Sequence, residues 1–222
     1  MHGRGVTRIV VIDNASADLT RRVAAAHARV RLVRLPVNAG HGPALDLAAI
    51  TARTEFVIAL DPDAFPIDPE WVDHLIGPLR EGAQVSGVHM QRSYVHPCAL
   101  AIRTQRFVER RHTFTQSGSP AEFGTTGWDT GERISMIEQP HVHLLPVSST
   151  DGPGSVGTSW EGAIYHNFYS VRHLQRFGPA GGGVLDDVVA AGDATTAWDR
   201  NCRKYLGLDA ERRAELVEAA GR

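Results

Sequence analysis

Two carboxylates one residue apart, Asp61 and Asp63, follow the apolar run Glu55-Phe-Val-Ile-Ala-Leu60. Alternate residues of an extended segment point the same way, so both acids can face one ligand. Hard divalent cations such as Mg²⁺ or Mn²⁺ take oxygen ligands and keep places for water and substrate phosphates. A diphosphate would fill those places. The competing reading is an ordinary turn, where Asp and Pro are common. A second acidic group lies in Gly127-Trp-Asp129-Thr-Gly131-Glu132. Asp129 or Glu132 could draw a proton from a hydroxyl as a general base. The same spacing, an acid followed three residues later by Glu, is equally a helix-capping arrangement, and the two roles are compatible.

These groups need elements to hold them. Arg8-Ile-Val-Val-Ile-Asp13 is β-branched and apolar, and Asn14-Ala-Ser16-Ala-Asp18 supplies turn and N-cap residues, so strand, loop and helix follow in order. The helix runs from about Leu19 to Ala28, and Val30 to Leu35 alternates as a strand that Pro36 ends. Asn38-Ala-Gly40-His-Gly42-Pro43 is a glycine-rich loop, Ala44 to Thr51 a compact helix, and Glu55 to Leu60 a buried central strand. Strands alternating with helices argue for βαβ units and a mostly parallel sheet, with ligands at the carboxyl ends of the strands. Asp13 and Asp61 both fall there. Pro69 to Leu79 reads as a surface helix through Trp71, Leu75 and Leu79. Val85 to Met90 and Cys98 to Ile102 are further strands, the second leading into a helix around Thr104 to Arg110. Gln116 to Gly127 and Ser148 to Ser159 have loop composition. Beyond Phe177, three helical stretches suggest a tail.

The order strand, Asp13-Asn-Ala-Ser-Ala-Asp18, helix, strand, Asn38-Ala-Gly40, helix, strand, Asp61-Pro-Asp63 resembles the nucleotide-binding half of family-2 glycosyltransferases with the GT-A fold. The resemblance runs from about Arg8 to Leu79. It implies an α/β, Rossmann-type mixed and mostly parallel sheet flanked by helices over residues 1–178, with a helical C-terminal tail at 179–222. It also implies that Asp13 contacts the nucleobase, that Asp61 takes the ribose or a water of the metal shell, and that Asp63 holds a Mn²⁺ or Mg²⁺ ion. Asn38, Gly40 and the Asp46 position, where the family more usually has Asn, would shape the nucleotide pocket. A late His in such enzymes adds a metal ligand, and His166, in Gly162-Ala-Ile-Tyr165-His166-Asn167, holds the matching place; a satisfied core or surface His is the competing reading. His96, and His141 with His143, are alternatives. Family members place an acidic base near Asp129 and Glu132. The family's first apolar strand and helix, which precede the strand matching Arg8 to Asp13, have no counterpart in these residues, and the edge left open invites a homodimer.

The implied activity is inverting transfer of a sugar from a nucleoside-diphosphate sugar to a hydroxyl acceptor. The alternative is a related protein without transferase activity that serves as a binding module. A nucleotidyltransferase would show a basic glycine-rich loop early in the chain, and none is present. Composition narrows the partners further. With 222 residues, 42% of them hydrophobic, the chain can bury one sizeable core. A formal charge of -2 with interspersed signs offers no basic stripe, which argues against nucleic acid. No apolar run approaches the ~20 residues of a transmembrane helix, so a cytoplasmic protein is expected. Cys98 and Cys202 are read as ordinary thiols, and Trp128, Trp160, Tyr165 and Tyr169 as core residues before acceptor-stacking ones.

Overall fold

The computed structural model describes residues 8–89, 93–116, 128–150 and 157–167, with a few isolated positions between 203 and 218. Strand β1 (Ile9–Asp13) is built almost wholly of β-branched residues, whose stiff side chains suit extended backbone. It pairs in parallel with β2 (Val30–Arg34) across helix α1 (Thr20–Ala26). The Asp18 carboxylate accepts the Thr20 N–H at 2.9 Å in the turn that leads into α1. Helix α2 (His41–Thr51) begins three residues earlier than the sequence suggested, because Gly40 at φ 95° turns the chain directly into it.

The main sheet has the order β3-β6-β5-β7, formed by β3 (Phe56–Leu60), β6 (Val95–Arg103), β5 (Val85–His89) and β7 (Val142–Leu145). β5 and β7 pair in parallel, whereas β6 is antiparallel to both β3 and β5. Among the described residues parallel pairing is therefore confined to β1/β2 and β5/β7, less than the expected mostly parallel sheet. The reason is local: β6 follows β5 after a few residues, too few for a crossover, so the chain must return antiparallel. β3, β5 and β7 share one direction and β6 alone is reversed. Among the described residues β1 pairs only with β2, and β3 only with β6.

Helix α3 (Trp71–Arg80) covers one face of this sheet. It buries Trp71, Val72, Leu75, Ile76 and Leu79 and exposes Asp73 and Arg80, the amphipathic helix expected of its spacing. Its charges suit the helix dipole, with the acid in the first turn and the base in the last. The other face packs against α2, α4 (Thr104–Glu109) and α5 (Glu132–Glu138) through Ala49, Phe107, Phe114 and Ile134. Each of the larger side chains, Phe107, Phe114 and Ile134, contributes about 2 kcal/mol when fully removed from water. Arg106 of α4 grips Glu138 of α5 through Nε at 3.1 Å and Nη2 at 2.8 Å, and His112 Nε2 meets the same carboxylate at 2.6 Å.

A second sheet, order β4-β10-β9-β8, is antiparallel throughout. It joins β4 (Ala64–Pro66) to β10 (Ile164–Asn167), β9 (Gly157–Trp160) and β8 (Val147–Thr150). The two described ends of the stretch expected as a loop, Ser148 to Ser159, are thus strand, paired through the Thr158 and Ser159 backbone where polar side chains concealed the pattern. Residues 117–127 and 151–156, Tyr169, Cys202 and nearly all of the expected tail lie outside the described residues. Trp160, Tyr165 and Cys98 are core residues. Among the described residues no helix is long and apolar enough to cross a membrane.

Candidate active site

The carboxyl end of β3 runs into a tight turn, with the Asp61 N–H donating to Cys98 O at 3.1 Å and the Ala64 N–H to Asp61 O at 3.0 Å. This turn swings both aspartates to one side and starts β4. Because β10 pairs with β4 in the register His166 to Ala64, it carries the His166 ring to the same spot. His166 Nε2 stands 3.1 Å from Asp63 Oδ1, and one ligating atom each from Asp61, Asp63 and His166 all lie within 4.8 Å of one another. Two carboxylates and an imidazole are a donor set that fits Mn²⁺ or Mg²⁺ with positions to spare. His141 and His143 belong to no such group among the described residues.

His41, the first residue of α2, reaches the cluster and places Nε2 3.1 Å from Asp61 Oδ1. Burial pushes the Asp61 carboxyl up, but the His41 hydrogen bond and the nearby His41, His96 and His166 rings outweigh it, leaving the pKa below the usual value. His96 is driven down to about 4, chiefly by burial, with Asp129 and Asp61 opposing the shift.

Asp13 is buried at the end of β1, where its Oδ1 accepts the Ser16 N–H at 2.9 Å and shapes the 13–16 turn. That turn, with the Ser16 hydrogen bonds foremost, holds its carboxyl below the ordinary value. Its Oδ2 is buried without a hydrogen-bond partner, 3.9 Å from Arg34 Nε. Asn14 ties this turn to the glycine loop, donating to Asn38 Oδ1 and Gly40 O at 3.0 Å and accepting the Ala39 N–H at 2.8 Å. Asn38 Oδ1 also takes the Gly40 N–H at 2.9 Å. Asp13, Asn38, Gly40 and Asp61 thus share one corner at the carboxyl ends of β1 and β3.

Asp46, expected to help shape the nucleotide pocket, turns its carboxylate to the 113–115 segment. Its carboxylate accepts from Thr113 Oγ1, from the Phe114 N–H at 2.6 Å and from Thr115 Oγ1 at 2.9 Å. Both oxygens are engaged in pinning α2 to the 113–115 segment. Gly42 shows how close that contact is, since a Cβ there would come within 2.6 Å of Thr115 Cα.

Asp129 and Glu132 occupy opposite environments. Glu132 is fully buried as the first residue of α5, behind the N-cap Gly131, and its Oε2 accepts the Asp129 N–H at 2.9 Å, so it braces the preceding turn and is removed from solvent. Asp129 has a side chain 42% exposed, accepts the Thr130 N–H and the Tyr94 hydroxyl, and lies 3.8 Å from His96 Nε2. Asn14, His41, Tyr94 and His96 are the residues that sequence reasoning gave no site role or left as alternatives. The signal for Asn14 and His41 was their place, each next to a residue already singled out, at a strand end and at a helix start.

Comparison with known proteins matches a family described as Glycosyl transferase family 2 over residues 4–131, more than half of the chain. A glucosyl-3-phosphoglycerate synthase of Mycolicibacterium paratuberculosis is 35% identical over 95 residues, 40% of this chain and 28% of that protein. The chain therefore spans little more than a quarter of that relative's length. Among solved structures, S. aureus TarS residues 1–349 in complex with UDP superposes with a TM-score of 0.48 and 15% identity, covering 94% of this chain and 68% of that one. TarS 1–349 in complex with UDP-GlcNAc gives 0.44 and 14%, covering 96% and 70%. With its carboxylate pair at the end of β3 inside the matched region, the chain belongs to glycosyl transferase family 2.

Proposed function

We propose that the protein transfers a sugar, with inversion, from a nucleoside-diphosphate sugar to a hydroxyl acceptor. The observation that carries this reading is the convergence of Asp61, Asp63 and His166 beside the 13–16 and 38–40 turns, at the sheet edge where α/β folds take ligands. Asp61, Asp63 and His166 would hold a Mn²⁺ or Mg²⁺ ion, which supplies Lewis-acid neutralisation of a leaving diphosphate when bound. Asp13, at the end of β1, and the 38–40 loop take the nucleoside. Asp129 is the base: as the acceptor oxygen bonds to the anomeric carbon, its proton passes to Asp129 and the bond to the diphosphate oxygen breaks. Glu132, walled off and accepting the Asp129 N–H, holds the base in place.

A thermal-shift panel with Mn²⁺ and uridine, guanosine or thymidine diphosphate tests the reading. Ligand at about a hundred times its dissociation constant adds ~2.7 kcal/mol of stability, an easily measured upward shift. At least one nucleotide should give it, Asp63→Ala should lose the metal-dependent part, and Asp129→Asn should keep binding while stopping transfer. No shift with any of the three, in a folded protein, refutes the proposal. The glucosyl name of the curated relative makes glucose the first donor sugar to try.

A further inference from the structure

The reversed strand β6 brings a histidine to the junction of the acidic cluster and Asp129. Because β6 runs against β3, its first residues stand at the edge where β3 ends: Leu60 is in register with Ala99, and Asp61 N–H reaches Cys98 O. His96, near the start of β6, lies beside His166 with ring centres 6.3 Å apart, and on its other side Nε2 is 3.8 Å from Asp129 Oδ2. Pro97 follows it and restricts its backbone to the extended region. The ring is held from behind, where Nδ1 accepts the Cys98 backbone N–H at 3.1 Å. A ring nitrogen that accepts carries no proton, so the neutral imidazole keeps its hydrogen on Nε2, the atom facing the site.

The separation of 3.8 Å is too long for a direct hydrogen bond to Asp129. It is a distance that one oxygen atom spans, sitting within about 2.9 Å of both groups. We propose that His96 seats the acceptor, its Nε2–H donating to the oxygen of the attacking hydroxyl while that hydroxyl donates to Asp129. The inference rests on the transfer reading above. Of the hydroxyl's two lone pairs, one is taken by His96 and the other is left to form the bond to the anomeric carbon. The hydroxyl proton goes to Asp129, the bond to the diphosphate oxygen breaks, and His96 keeps its own proton throughout. Tyr94 and the Thr130 N–H hold the Asp129 carboxylate in place for this exchange.

Two substitutions separate this role from a structural one. Asparagine at 96 can still accept the Cys98 N–H but reaches no further; glutamine extends an amide N–H to the place of Nε2. The assay is Mn²⁺-dependent hydrolysis of the glucose ester of whichever nucleoside diphosphate binds, with water as the seated acceptor. His96→Asn should keep diphosphate affinity within about twofold and slow turnover roughly 100–1,000-fold, the loss typical of a positioned donor, and His96→Gln should recover most of the rate. Unslowed turnover in His96→Asn, or affinity falling in step with rate, overturns the assignment while leaving the transfer reading intact. Absence of nucleotide binding in the unaltered protein removes the transfer reading and this role with it. Nitrogen-15 spectra of the imidazole add a check independent of nucleotide, since a proton found on Nδ1 would also overturn it.

Discussion

Replacing Asp46 separates a ligand-binding carboxylate from a structural one, and the structure sets the size of the effect. Asp46→Ala removes the acceptor for Thr113, the Phe114 N–H and Thr115 at once. Hydrogen bonds to a charged group contribute about 1.5–3 kcal/mol each. The two hydroxyls can turn to water in this half-buried place, whereas the backbone N–H of Phe114 is left stranded, so a net loss of about 3 kcal/mol is expected. Collapse cannot recover it, because α2 already touches the 113–115 backbone at Gly42. Asp46→Asn retains an oxygen for the Phe114 N–H and should cost only about 1 kcal/mol. With a urea slope of about 2 kcal/mol/M, the alanine variant should unfold at a midpoint about 1.5 M lower, as followed by tryptophan fluorescence. Nucleotide affinity of Asp46→Asn, measured well below its transition, should be unchanged. The reasoning fails if the alanine variant unfolds at the original midpoint, or if the asparagine variant folds normally and no longer binds nucleotide.

Acid should destabilise the protein through the Glu138 cluster. Burial pushes Glu138 up, but Arg106 and His112 outweigh it and leave the folded pKa below the ordinary 4.5; stability from this group is present above that value and lost as pH falls through the folded one. His112 is lowered from 6.5, chiefly by burial, so the unfolded chain takes up its proton first and stability already declines below that pH. Urea midpoints between about pH 8 and 4 should fall steadily, and a flat profile would contradict both shifts. Gly87→Ala should destabilise by roughly 3 kcal/mol, since φ is +154° and a Cβ would lie 2.2 Å from Ala99 O; an unchanged melting temperature would show that β5 and β6 can move apart.

Legibility followed the range of the forces involved. The segments from Arg8 to Leu79 could be read because β-branched runs, turn residues and the α3 stripe act within a few residues of one another. The pairing of Asp63 with His166 spans 103 positions and depends on the β4/β10 register, which no local pattern encodes. β8 and β9 escaped because Ser and Thr fill them and the hydrophobic alternation is absent. Asp46 matches a pocket position of the family, while the partners of its carboxylate, Thr113 and Thr115, lie far along the chain, where no local pattern reveals them. The ambiguity between Asp129 and Glu132 was one of depth, and only burial distinguishes an acid that braces a turn from an acid that faces solvent.

The separation of β1 and β2 from the main sheet governs how the two ends of the site keep their spacing. No ladder of backbone hydrogen bonds joins Asp13 to Asp61 among the described residues. Their distance is instead held by α2, braced at one end by Asn14 and Gly40 and touching Asp61 through His41. The corner acts as a caliper whose jaw is a helix and whose screw is a pair of side chains. A tilt of α2 would shift the 13–16 turn against the turn that carries Asp61 and Asp63 with no strand pairing broken.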